Sequence, residues 1–99
     1  MPRPARLSDS EVAARLRDLP GWSLREGRLH RDFAFRDFAQ AWAFMTEVAR
    51  EAEALGHHPD WSNSYSRVSV DLLTHDAGGI TVLDFELAGR IQILAERRL

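Results

Sequence analysis

Apolar residues recur at three- and four-residue steps through Phe38, Ala41, Trp42, Met45, Val48, Ala49, Ala52 and Leu55. That period is one face of an α-helix, and it is the strongest periodic signal in the chain. Asp37 occupies the N-cap position and Gln40 the capping-box position. Gly56 marks the end, because glycine accepts the left-handed conformation that closes a helix. An earlier helix is predicted after Ser8. Ser8 and Glu11 have capping-box spacing, Val12, Leu16 and Leu19 face inward, and Pro20-Gly21 stops it. A last helix follows Thr81, with Asp84 at its third position, where a carboxylate suits the helix dipole. Phe85, Ala88, Ile91 and Ala95 line its inner face.

Between these helices the period shortens to two. Trp22 to Arg25 and Arg28 to Phe35 read as paired strands around Glu26-Gly27, with Gly27 free to take the positive φ of a tight turn. Leu29, Phe33 and Phe35 share one face; His30, Asp32 and Ala34 share the other. Trp61 to Tyr65 reads as a short strand with Trp61, Asn63 and Tyr65 on one side. Arg67 to Thr74 is a better strand, in which Val68, Val70 and Leu72 alternate with Ser69 and Asp71. The order α-β-β-α-β-β-α predicts an α+β domain of two layers: a four-stranded antiparallel sheet with helices packed on one face. Residues 1–6, with two prolines, are expected to form a loose arm, and residues 7–99 a single domain.

Composition narrows the function classes. The 99 residues are 44% hydrophobic and 28% charged, which suits one globular core. A net charge of −2 argues against a general nucleic-acid binder. The chain has no cysteine, so disulfides, thiolate metal sites and thiol catalysis are excluded. No apolar run approaches a membrane span, and the first residues lack the apolar stretch of a secretory signal. The cytoplasm is the default expectation.

Candidate chemistry gathers in a short stretch. His57 and His58 follow a helix end, and His75 ends a strand; loops at element ends are where a scaffold presents functional groups. Histidine titrates near neutrality, so neighbouring imidazoles supply both a proton donor and an acceptor. Glu53, one helical turn before His57, and Asp84, beyond the glycine loop, can each fix an imidazole tautomer. His30 is expected to be merely solvated. Trp42, Phe44 and Met45 are expected in the core. On residues alone Asp84 reads first as a capping carboxylate. A zinc site built on Glu53, His57 and His75, or on the three histidines, is a rival, although the spacing is not the His-Glu-x-x-His helix pattern.

The segment Glu53-Ala-Leu-Gly-His57-His58-Pro59-Asp-Trp61-Ser-Asn-Ser-Tyr65, then nine residues to His75 and eight to Asp84, resembles the signature of the pterin-4a-carbinolamine dehydratases. Phe35 to Met45 and Thr74 to Gly79 resemble the family's central helix entry and second catalytic loop, so the likeness covers roughly residues 20–97. It implies the α+β fold already read from the pattern. It implies a hydro-lyase that dehydrates a 4a-hydroxytetrahydropterin to quinonoid dihydropterin and water, in support of tetrahydropterin recycling, with no redox cofactor or metal. Carried over by position, it implies His57 and His75 as alternative general acids. His58 becomes the pterin-binding residue and candidate base, with Glu53 and Asp84 orienting the histidines and Trp61 beside the substrate.

The resemblance also implies a homodimer or homotetramer. The strand of Val68, Val70 and Leu72 and the last helix are the expected contacts. Gly56 departs from the family, which often carries an acidic residue just before the histidine pair. A reading from a different class is a dimerisation or regulatory module, since animal relatives serve as dimerisation cofactors of a homeodomain transcription factor. A role in molybdopterin metabolism is a further alternative.

Overall fold

The structure, a computed structural model, describes residues 4–98. Residues 1–3 of the expected arm lie outside the described residues. Helix α1 spans Asp9–Leu16 and is closed at its start by the reciprocal Ser8 and Glu11 hydrogen bonds. Strands β1 (Ser23–Arg25) and β2 (Arg28–Ala34) form a hairpin. Its turn places Glu26 at φ 52° and Gly27 at φ 76°, the pair of positive values that matches strand twist. Helix α2 runs Phe38–Leu55, with the Asp37 carboxylate accepting from the Gln40 amide and Gly56 at φ 63° closing it. Strands β3 (Asp60–Ser64) and β4 (Arg67–Leu72) follow, then a 3-10 turn over His75–Ala77 and helix α3 over Val82–Glu96.

The four strands are antiparallel in the order β1-β2-β4-β3. Leu29, Phe33, Val68, Val70 and Leu72 are buried on the face that α2 and α3 cover. From α2 the core receives Ala41, Phe44, Val48 and Ala52, and from α3 Leu87, Ala88, Ile91 and Ala95. The Phe44 ring lies 5.1 Å from that of Phe33 and 4.8 Å from that of Phe35, so one aromatic cluster locks α2 onto the sheet. The expected fold class, two layers and element order are those observed.

Four expectations differ. Trp42 is 57% exposed and stacks on Phe38 along the outer side of α2, while Phe44 is buried. The apolar positions span more of the helix circumference than sheet and α3 can cover, and Trp42 falls outside that width. His30 is buried rather than solvated. It sits in β2, flanked by strands on both sides, and Arg25, Asp32 and Asp71 wall its ring. Tyr65 belongs to the β3–β4 turn at φ 50°, not to the strand. Strand β4, expected as a subunit contact, is interior: β2 and β3 pair with both its edges and its apolar side chains lie under the helices. The free sheet edges are those of β1 and β3.

Candidate active site

The end of α2 delivers the histidine pair. Gly56 takes the left-handed conformation, and the His57 amide bonds back to the Ala52 carbonyl at 3.0 Å, so the chain turns sharply off the helix. His57 is thereby directed inward and is only 6% exposed. His58, next in sequence, stays outside. His75 opens the 3-10 turn that follows β4, brought alongside because the Thr74 amide donates to the Gly79 carbonyl at 3.0 Å and pins the loop. Gly56, His57, His58, Leu73, Thr74, His75 and Asp76 together line one cavity of about 160 Å³.

Each histidine has a carboxylate of its own. His57 Nε2 lies 2.5 Å from Asp84 Oδ1, and both side chains are buried. His58 Nε2 lies 3.1 Å from Glu53 Oε1 at the surface. His75 Nε2 lies 3.5 Å from Asp60 Oδ2, which is also 3.4 Å from Arg28 Nη1. Glu53 therefore meets His58, not His57: the turn at Gly56 rotates His57 away from the helix face that carries Glu53. Asp84 does more than cap. Its Oδ2 accepts from the Thr81 amide at 2.9 Å, closing the α3 capping box, while Oδ1 serves His57. An anion in the first turn is also favoured by the helix dipole.

Trp61 lies apart from the histidine cavity. With Trp42, Met45, Thr46, Ala49, Arg50 and Glu53 it lines an apolar groove of about 550 Å³ on the outer side of α2. Glu53 is the side chain common to the groove and the His58 pair. Among the described residues no three His, Asp or Glu side chains converge as metal ligands. Three contributors escaped the sequence reading. Asp60 has no role in the sequence reading, and Thr74 enters it only as the end of a strand. Thr81 was credited with a cap alone. The signal for Asp60 was its place two residues after the pair, in strand register with Asp71.

Comparison with known proteins identifies the family. A family model described as pterin 4 alpha carbinolamine dehydratase matches residues 5–94. The chain belongs to the pterin-4a-carbinolamine dehydratase family. A protein of Solibacter usitatus assigned by name to that dehydratase is 50% identical over 90 residues, covering 91% of this chain and 95% of its own. The crystal structure of a transcriptional coactivator/pterin dehydratase from Brucella melitensis superposes with a TM-score of 0.88 at 44% identity, over 91% of this chain and 98% of that one. A pterin dehydratase-like protein identified as a RuBisCO assembly factor in the alpha-carboxysome has a TM-score of 0.62 at 27% identity, over 75% of this chain and 86% of its own. The dehydratase fold thus also occurs in proteins named for assembly and transcription.

Proposed function

We propose that the chain is a hydro-lyase that converts a 4a-hydroxytetrahydropterin to quinonoid dihydropterin and water, by acid–base catalysis on His57, His58 and His75. The carrying observation is that three imidazoles line one cavity and each is paired with a separate carboxylate. The hydroxyl on C4a leaves poorly as hydroxide. A protonated imidazole, His57 or His75 according to the face that bears the hydroxyl, donates its proton as the C4a–O bond breaks. The electron pair of N5 forms the new C=N bond, water departs, and a neutral imidazole takes the N5 proton. His58 fits that base and the pterin contact. One proton is spent and one recovered, so two groups titrating near neutrality suffice.

Asp84 and Glu53 hold rings in orientation, as carboxylates do for catalytic histidines elsewhere. The histidine cavity is smaller than the roughly 300–1,000 Å³ usual for small-molecule sites. A bicyclic pterin would extend out of it past Glu53 toward Trp61. The physiological setting consistent with this chemistry is recycling of tetrahydropterin in the cytoplasm. A stopped-flow assay with 4a-hydroxytetrahydropterin tests the reading. Wild-type protein should accelerate loss of the carbinolamine, and the His57→Ala/His75→Ala double variant should lose at least about 100-fold of that acceleration. A double variant equal to wild type would end the assignment of the acid role to His57 and His75.

A second reading has its own support. Phe38, Trp42 and the apolar groove face outward on α2, and β3 has a free edge beside them. Large exposed apolar patches mark interaction sites. Association of copies into a homodimer or homotetramer, as in the family, would cover that patch, and light scattering in solution reads it directly. A purely regulatory module would dimerise equally well but leave the carbinolamine untouched.

A further inference from the structure

Behind His57 lies a buried row of hydroxyls. Thr74 Oγ1 donates to Asp84 Oδ2 at 2.8 Å, and the Thr81 amide reaches the same oxygen at 2.9 Å. Thr74 Oγ1 and Thr81 Oγ1 are 2.8 Å apart, and Thr81 Oγ1 accepts from the Leu83 amide at 3.2 Å. Thr74 is 2% exposed, and Thr81 and Asp84 are 0% exposed.

Counting protons fixes the direction of this row. A hydroxyl has one proton to give. Thr74 gives its proton to Asp84, so in the contact between the two threonines Thr81 is the donor. Thr81, its proton spent, accepts from Leu83. The chain therefore runs one way, from the Leu83 amide through Thr81 and Thr74 to Asp84, and each bond polarises the next. Its members are rigidly mounted. Leu83 and Thr81 belong to the start of α3. The Thr74 backbone is held on both sides, its amide by Gly79 and its carbonyl by the Ala77 amide at 3.1 Å.

We propose that Thr74 is a positioning residue for His57. With Oδ2 filled by the Thr74 hydroxyl and the Thr81 amide, Asp84 presents Oδ1 alone to the imidazole. A carboxylate oxygen can only accept, so Nε2 must carry the proton and Nδ1 is the ring nitrogen left to exchange a proton with a bound molecule. Among the described residues His58 and His75 have no such support: their carboxylate partners, Glu53 and Asp60, are exposed. The structure thereby singles out His57 as the ring held in one tautomer before substrate arrives. The inference rests on the hydro-lyase reading for its kinetic consequence but not for its structural one.

Thr74→Val keeps the shape and removes the hydroxyl; Thr74→Ser keeps the hydroxyl. Nitrogen-15 NMR of the histidine rings in the intact protein reads the tautomer. Wild type and Thr74→Ser are expected to show His57 protonated on Nε2, and Thr74→Val a mixture of tautomers. Loss of one hydrogen bond to a charged group corresponds to roughly a ten-fold fall in kcat, with KM within about two-fold, and Thr74→Ser should restore the rate. An unchanged His57 tautomer together with an unchanged kcat in Thr74→Val would overturn the proposal. If Thr74→Val does not fold, the wild-type protein decides alone: a slowly exchanging Thr74 hydroxyl proton and an Nε2-protonated His57 support the proposal, and an Nδ1-protonated His57 refutes it. Failure of the wild-type protein to accelerate loss of the carbinolamine would instead sink the hydro-lyase reading and leave the tautomer result standing.

Discussion

Glu53 Oε1 lies 3.1 Å from His58 Nε2 where both side chains are largely in solvent, 79% and 61% exposed. An exposed pair of this kind contributes little, at most about 1 kcal/mol, and salt screens it. Glu53→Gln is therefore expected to leave the melting temperature nearly unchanged. It should lower kcat/KM by less than about five-fold, and the deficit should shrink as ionic strength rises. A larger, salt-independent loss measured by steady-state kinetics would mean that Glu53 touches the substrate itself.

Asp84 is the opposite case. Its two oxygens serve His57, Thr74 and the Thr81 amide, all buried. Asp84→Ala leaves these donors without an acceptor, at a cost of about 3 kcal/mol. For a domain of this size that lowers the melting temperature by more than about 10 °C. Differential scanning calorimetry checks it, and a shift of only a degree or two would show that water replaces the carboxylate.

Activity should follow a bell-shaped pH profile around neutrality, because one imidazole must be protonated and another neutral. Measured as kcat/KM, a flat profile from about pH 5 to about pH 9 would count against histidine acid–base catalysis.

Acid stability has a separate origin. The Ser69 hydroxyl, and secondarily His30, hold the Asp32 carboxyl below its ordinary 3.8. The Gln40 amide does the same for Asp37, and the Arg98 guanidinium holds Glu47 below 4.5. A carboxylate with a lowered folded value adds stability that is complete above its ordinary value and is lost as pH falls through the folded one. Asp32 is exposed and Asp37 and Glu47 are half-buried at the surface, so each contribution is modest. Urea unfolding should therefore show stability falling from about pH 4 downward, and Ser69→Ala, which weakens the pull on Asp32, should make that fall shallower. Equal acid dependence in Ser69→Ala and wild type would remove Asp32 from the account.

Gly56 stands at φ 63° with open space around the position of a Cβ. Gly56→Ala thus meets no clash, and its cost is the backbone conformation alone, about 1 kcal/mol. Asparagine tolerates the left-handed region better, so Gly56→Asn should melt above Gly56→Val. Identical thermal midpoints would show that the turn into His57 relaxes without loss.

The helices, their caps and the alternation of β2 and β4 were legible because they are local: a period of 3.6 or 2 and a capping residue within four positions specify them. The histidine set was legible for a different reason, the spacing from Glu53 to Asp84, which resembles a known family. The pairing within that set was not. Glu53 is one turn before His57 in sequence, yet it meets His58 because the left-handed residue at Gly56 redirects the chain. The partnership of His75 with Asp60 depends on strand register and on the loop between Thr74 and Gly79.

By itself the sequence determined the element order, the sheet-and-helix layering and the residues able to move protons. Only the tertiary structure decided that β4 is interior, that His30 is buried and Trp42 is not, and that Thr74 and Thr81 stand behind Asp84. Periodicity says which side of an element is apolar; it does not say how many neighbours arrive to cover that side. A hydrogen bond between Thr74 and Asp84 exists because the chain leaving β4 and the first turn of α3 meet at the same point in space, and that meeting is a property of the packed fold.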